Sequence, residues 1–185
     1  MPSIARSAGA FPDIPGWSQP LEAPTTYFRG RWHQKNWRNV PGPVYAADTD
    51  TCWASRMWAP HHITYENETF QEFLFRQPRS YSELMQVVCG AANDPLAGWA
   101  YDGDDHWTPA LVREWWRDRR RLAEWMRRDL RTWMASDEPE QKDAAHGIAE
   151  YAAYLEDGLE DYLRNYVFWL SERRAPAANQ RLPVL

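Results

Sequence analysis

Hydrophobic and polar positions change their period along the chain, and each change predicts an element. His62-Ile63-Thr64-Tyr65 and the run from Thr69 to Phe75 are rich in β-formers and flank the polar triplet Glu66-Asn67-Glu68. That pattern predicts a hairpin, ended by Pro78. Upstream, Pro41, Pro43 and Pro60 surround VYAADTDTCW, which predicts a strand followed by a loop. Ser80 and Glu83 have capping-box spacing, and Leu84, Val87 and Val88 share one face of the short helix they open. This helix should stop near Gly90 or before Asn93-Asp94-Pro95.

Thr108-Pro109 then opens a long helix to about Ala135, with Val112, Trp115, Trp116, Leu122, Met126, Leu130 and Trp133 at helical spacing. A second long helix is expected over roughly 140–173. Its apolar positions Ile148, Ala152, Leu155, Leu159, Tyr162, Tyr166 and Trp169 step by four and three, a heptad-like stripe. The break between them at Ser136 to Glu140 is short, which favours an antiparallel helical hairpin. The same stripe could instead close a homodimer.

The expected architecture is therefore α+β: a small antiparallel sheet from about 26–79, packed on a short helix and a long C-terminal antiparallel helical hairpin. Residues 1–25, with Pro2, Pro12, Pro15, Pro20 and Pro24, read as an N-terminal arm. Residues 26–176 form one domain, and 177–185 a non-helical tail.

Composition narrows the class. A chain of 185 residues is long enough for one domain with a sizeable core. Lys plus Arg is 21 and Asp plus Glu is 26, a net charge of −5, which disfavours a general nucleic-acid coat. No apolar run reaches signal-peptide or membrane-span length, and two cysteines fit a reducing cytoplasm. Charge is also segregated: residues 108–136 hold eight Arg against four acids, and 137–163 hold nine acids against one Lys. In a hairpin those charges are expected to pair across the apolar seam or to face solvent.

Three constellations carry candidate chemistry. Asp102-Gly103-Asp104-Asp105-His106-Trp107 precedes a helix; Asp102, Asp104 and His106 could hold a divalent metal, or the aspartates could cap the helix. Asp48, Asp50, His61 and His62 could serve acid–base chemistry, or the aspartates could close a turn. Adjacent strand residues face opposite ways, so His61 and His62 should not share a site. Cys52 reads as a buried, inert thiol. The third string, Arg29 to Arg38, interleaves basic and aromatic residues, as in a base-stacking groove or an edge strand with Trp32 turned inward. Twelve Trp among many Arg make protein-binding hot spots a further expectation, with Trp53, Trp107 and Arg113 as contact residues.

GRWHQKNWRNVPGPVY, TDTCW, APHHITY, FLFRQP and DGDDHWTPALVREWW together resemble a family of small, Trp-rich bacterial proteins that goes under the name ferredoxin. The resemblance spans roughly 29–174. The family name implies an iron–sulfur electron carrier. Cys52 and Cys89 are too few for an ordinary cluster, and the Cys-x-His spacing of a Rieske centre is missing.

The expectation for function is a non-enzymatic, acidic protein-binding protein of the immunity or antitoxin type, with the acidic segment 137–161 as contact surface and no cofactor. The alternative is a small enzyme, metal-assisted in one version, with its site between the 48–53 and 102–107 loops. A nucleic-acid binder acting through 29–38 and the basic helix is a third reading.

Overall fold

The computed structural model describes residues 27–49 and 51–185; the expected N-terminal arm and Asp50 lie outside them. Among the described residues the chain is α+β, with short antiparallel strands and a helical C-terminal part. The expected hairpin is there as β2 (Ile63–Tyr65) and β3 (Glu72–Leu74), with Thr64 opposite Phe73. A second antiparallel pair joins β1 (Tyr45–Ala46) to β4 (Trp99–Ala100), with Tyr45 opposite Ala100. These are two separate two-stranded ladders where one sheet was expected.

Side-chain amides bridge the two ladders. Asn39 Oδ1 accepts from the backbone N–H of Ala46 in β1 (3.1 Å) and of Leu74 in β3 (2.9 Å), and its Nδ2 donates to the Ala46 carbonyl at 2.8 Å. Gln77 does the same nearby, accepting from Val44 N–H and donating to the Val40 and Val44 carbonyls. Both amides are buried, so they satisfy backbone groups that a wider sheet would have paired.

The short helix opens on the expected Ser80 cap, with the Glu83 carboxylate reaching one residue beyond its capping-box position. Ser80 Oγ accepts from Glu83 N–H, and the Glu83 carboxylate accepts from Arg79 N–H, at the start of α2 (Tyr81–Ala92). It packs against α1 (Ser55–Trp58), a single turn. Another turn, α3 (Gly103–His106), stands where a loop was expected.

Each long helix is broken once. The first divides at Asp118 into α4 (Pro109–Arg117), capped by Thr108 Oγ1, and α5 (Arg119–Met134). The second divides into α6 (Pro139–Glu156) and α7 (Leu159–Glu172) at Gly158, whose φ of 102° is a left-handed conformation natural to glycine. The hairpin itself holds: α5 packs on α6, and α4 packs on α7.

Leu122, Met126 and Trp133 on one side, with Ile148, Tyr151 and Leu163 on the other, form a continuous buried core. The 148–169 stripe is thus spent within the chain, and the homodimer seam expected there is not left open. Three buried phenols tie the hairpin to the irregular half: Tyr151 to the Arg38 carbonyl, Tyr162 to the Pro41 carbonyl and Tyr166 to Asp104. The 177–185 tail is docked, because Arg113 Nε donates to the Val184 carbonyl at 2.8 Å and Arg164 Nε to that of Pro183 at 3.0 Å.

Candidate functional site

Trp32 brings two of the three sequence constellations together. It opens a 3-10 turn, Trp32–Gln34, where an edge strand was expected. The strand reading fails because, after the isolated Phe28–Gly98 bridge, the chain turns. Its indole stacks on His106 at 4.8 Å and meets Tyr45 and Trp107 edge-on at 5.5 and 5.0 Å. The Lys35 ammonium stands 4.6 Å from the Trp32 ring centre and 5.4 Å from that of Trp107.

His106 reaches this box because α3 lies close to the chain before β1. Gly103 N–H donates to the Pro43 carbonyl, and a Cβ at Gly103 would sit 2.1 Å from the Gly42 carbonyl oxygen. The Asp102 carboxylate accepts from the Tyr45 phenol at 2.8 Å and pairs with His106 Nε2 at 3.2 Å. Burial first, and then the neighbouring Asp102 charge, hold the Tyr45 phenol well above its usual pKa. This arrangement orients the imidazole, but no hydroxyl or thiol nucleophile is hydrogen-bonded to it among the described residues.

Asp104 turns the other way. It is buried, and its Oδ1 accepts from the Tyr166 phenol at 2.7 Å. Burial pushes its pKa up to about 7, against the lowering effect of the Tyr166 hydrogen bond. The metal set Asp102, Asp104 and His106 is therefore not assembled, and among the described residues no group of three or more His, Cys, Asp or Glu is placed to hold a metal ion. Asp105 is exposed, and the capping role expected near it belongs to Thr108.

The other constellation is dispersed. Asp48 accepts from Gln34 Nε2, so it touches the same 3-10 turn from the far side. In the β1–β4 ladder, however, Ala47 N–H bonds the Gly98 carbonyl while Gly103 N–H bonds the Pro43 carbonyl. Asp48 and Asp102 thus lie toward opposite ends of it, about 17 Å apart along the strand at ~3.3 Å per residue.

Trp53, with a positive φ of 62°, packs on Tyr65, Phe70 and Trp133, away from Trp107. His61 is exposed and pairs with Glu150; His62 is buried, and its Nδ1 bonds the Arg76 carbonyl, so the two do face apart. Burial holds the His62 pKa below its ordinary value. Arg113, expected to meet a partner, is engaged with the chain's own tail.

Arg38 is a structural cation of the core, which the sequence did not single out. Its guanidinium lies 4.7 Å from the ring centres of both Trp37 and Trp125 and pairs with Glu66 at 3.7 Å and Glu68 at 3.2 Å. Glu66 in turn accepts from the backbone N–H groups of Glu68, Thr69 and Gln71, which closes the β2–β3 turn around it. Glu68 reaches on to Arg128, which also binds the buried Asp129. Arg121 also lies over the Trp37 ring, 4.1 Å from its centre.

Of the two outcomes expected for the charged hairpin, pairing across the seam or exposure to solvent, exposure is the one observed. No Arg of α4 or α5 pairs with an acid of α6 or α7 among the described residues. The seam is filled by aromatic and aliphatic side chains; Arg121 turns to Asp118 and the face of Trp37, Arg128 to Glu68 and Asp129, and Arg119 to the face of Trp116. Asp143 pairs with Arg56 and Glu150 with His61. Asp137, Glu138, Glu140, Glu156, Asp157, Glu160 and Asp161 are exposed and have no ion-pair partner among the described residues. Beside this acidic face, α1 shows Met57 82% exposed and Trp58 52% exposed.

No family model matches the chain, and no curated protein or solved structure matches it. No helix among the described residues is long and apolar enough to cross a membrane.

Proposed function

We propose that this protein works by binding another protein that carries a basic surface, as an inhibitor of the immunity or antitoxin type does, in a reducing cytoplasm. The observation that supports this reading best is the unspent acidic face of α6 and α7. Seven exposed carboxylates there are left without a cation of their own among the described residues. Such a face accelerates encounter with a cationic partner and repels anionic ones. Trp58 and Met57 supply the apolar anchor that charge alone lacks, since Trp is a frequent hot-spot residue. They are tied to α6 by the Arg56–Asp143 and His61–Glu150 pairs on either side of them in sequence.

A metal-assisted enzyme is the weaker reading, because the 48–53 and 102–107 loops diverge along the β1–β4 ladder. Kinship with the ferredoxin-named family is kept as part of this proposal on the strings it shares, without an electron-carrier role. Cys52 is exposed where a buried thiol was expected, Cys89 is half-buried on α2, and a cluster needs more ligands than these two thiols.

The test is capture from a lysate of the native host with the wild-type protein and with a triple variant, Asp137→Lys, Glu156→Lys, Asp157→Lys. Glu156 and Asp157 lie at the C-terminus of α6, where a cation is favoured, and Asp137 lies one residue before its N-cap. A partner held by the wild type and lost by the variant supports the reading. Equal recovery by both, or recovery of nothing at low salt, overturns it.

A further inference from the structure

A cleft of about 340 Å³ lies between the 3-10 turn and α4–α5, with Lys35, Trp37, Trp107, Leu111, Trp115 and Arg121 among its lining residues. We propose that it is a binding site for a small planar aromatic carboxylate, its ring laid against the indoles and its carboxylate received by the Lys35 ammonium.

The argument starts from what Lys35 lacks. Its ammonium is half-buried between Trp32 and Trp107, and no carboxylate or carbonyl oxygen accepts from it among the described residues. Two indole faces return roughly 0.5–2 kcal/mol by cation–π attraction and leave the N–H donors to whatever enters the cleft, water or a ligand oxygen. Desolvation lowers the Lys35 pKa accordingly, and no neighbouring charge offsets it. An aromatic box of this kind ordinarily receives a cation from a ligand. Here the chain's own Lys35 already occupies that position, so the missing component is an anion.

The walls select the rest of the ligand. Trp107 and Trp115 offer flat apolar surface, while the Trp37 ring is covered by Arg38 and Arg121; Trp115 is held in place by its Nε1 donating to the Trp37 carbonyl at 3.1 Å. A planar ring matches such walls, and the volume suits a one- or two-ring molecule. The rim limits the charge. Glu114 and Asp118 also line the cleft, and Asp118 is paired with Arg121 at 3.5 Å. Two carboxylates at the rim disfavour a polyanion such as a nucleotide and leave room for one negative charge at Lys35.

The test is isothermal titration of the full chain with 2-naphthoate and with its neutral isostere 2-naphthamide. The expected result is binding of the carboxylate at least about tenfold tighter than the amide, a preference lost in Lys35→Met. Leu111 is partly exposed, and Leu111→Trp fills the cleft from that position without cutting into the core; it should abolish binding of both probes. No binding of 2-naphthoate at millimolar concentration, equal affinity for the two probes, or an undiminished preference in a folded Lys35→Met would each overturn the proposal. If Lys35→Met does not fold, the comparison of the two probes on the wild type still decides it.

Discussion

The Tyr166 phenol donates to Asp104 Oδ1 at 2.7 Å, and this contact joins α7 to the single turn α3 inside the protein. The other carboxylate oxygen, Oδ2, is buried without a partner. Half of this carboxyl group is satisfied and half is not, which is why burial outweighs the hydrogen bond and its pKa rises to about 7.

A group held protonated by the fold stabilises most at low pH. The Asp104 contribution is full below its unfolded value near 3.8 and is lost as pH rises through about 7. Asp104→Asn removes this dependence while keeping an acceptor for Tyr166. Urea denaturation between pH 5 and pH 8 should show the stability of the variant rising relative to the wild type, by an amount on the order of a few kcal/mol across the range. His62 acts in the opposite sense, its contribution being lost as pH falls below its ordinary value of 6.5, and it is common to both proteins. A constant difference between the two proteins would show that Asp104 titrates normally.

Arg38 is expected to be the least replaceable charge in the molecule. Removing it leaves Glu66, whose side chain is 2% exposed, without its cation, and leaves two edge-on indoles without the group that lies against both. Arg38→Ala should cost about 3–5 kcal/mol in chemical denaturation. Arg38→Lys should recover little of it, because an ammonium keeps at best the contacts that Nη2 makes to Glu66 and Glu68 and loses the guanidinium plane that lies against Trp37 and Trp125. Full stability in Arg38→Lys would refute the stacking account.

The amide of Asn39 substitutes for a third ladder. Asn39→Ala strands the N–H groups of Ala46 and Leu74, and about 2–4 kcal/mol should be lost. Asn93→Ala serves as the control; its single bond to the Cys89 carbonyl is exposed, and the change should cost under about 0.5 kcal/mol.

Gly147 sits in the middle of α6, where alanine would ordinarily raise helix stability by about 1 kcal/mol. A Cβ there would lie 2.5 Å from Arg56 Nη1 and 2.6 Å from Thr64 Oγ1. Gly147→Ala should therefore destabilise, by roughly 1–3 kcal/mol, and loosen the Thr64 hydroxyl from the Ala144 carbonyl. A rise in melting temperature would show that α6 and β2 do not pack this closely.

The helical half was legible because its signals are local. Ser80 with Glu83, Thr108 with Pro109 and the three-and-four steps from Ile148 to Trp169 each act within a turn or two of backbone. The break at Gly158 was missed because the apolar stripe runs through it without losing phase.

The site was less legible. Asp102 and His106 are four residues apart and do meet, but Trp32, which covers the imidazole, comes from a turn more than seventy positions earlier. The string from Arg29 to Arg38 held the right residues, Trp32, Lys35, Trp37 and Arg38, under the wrong backbone. Interleaved side chains look alike on a strand and on a 3-10 turn until the partners are known. Charge segregation between 108–136 and 137–163 was plain, and its consequence was not. Opposite charges on two packed helices do not pair where their side chains stay in solvent or find nearer partners, and the sequence does not show which applies.

The most direct measurement is native mass spectrometry of the protein purified at low salt from its own host, repeated after a wash at high ionic strength. The account predicts a complex with one basic protein that survives the first condition and is lost in the second, as screened charge requires. A bare chain at low salt, or a partner indifferent to salt, would contradict it.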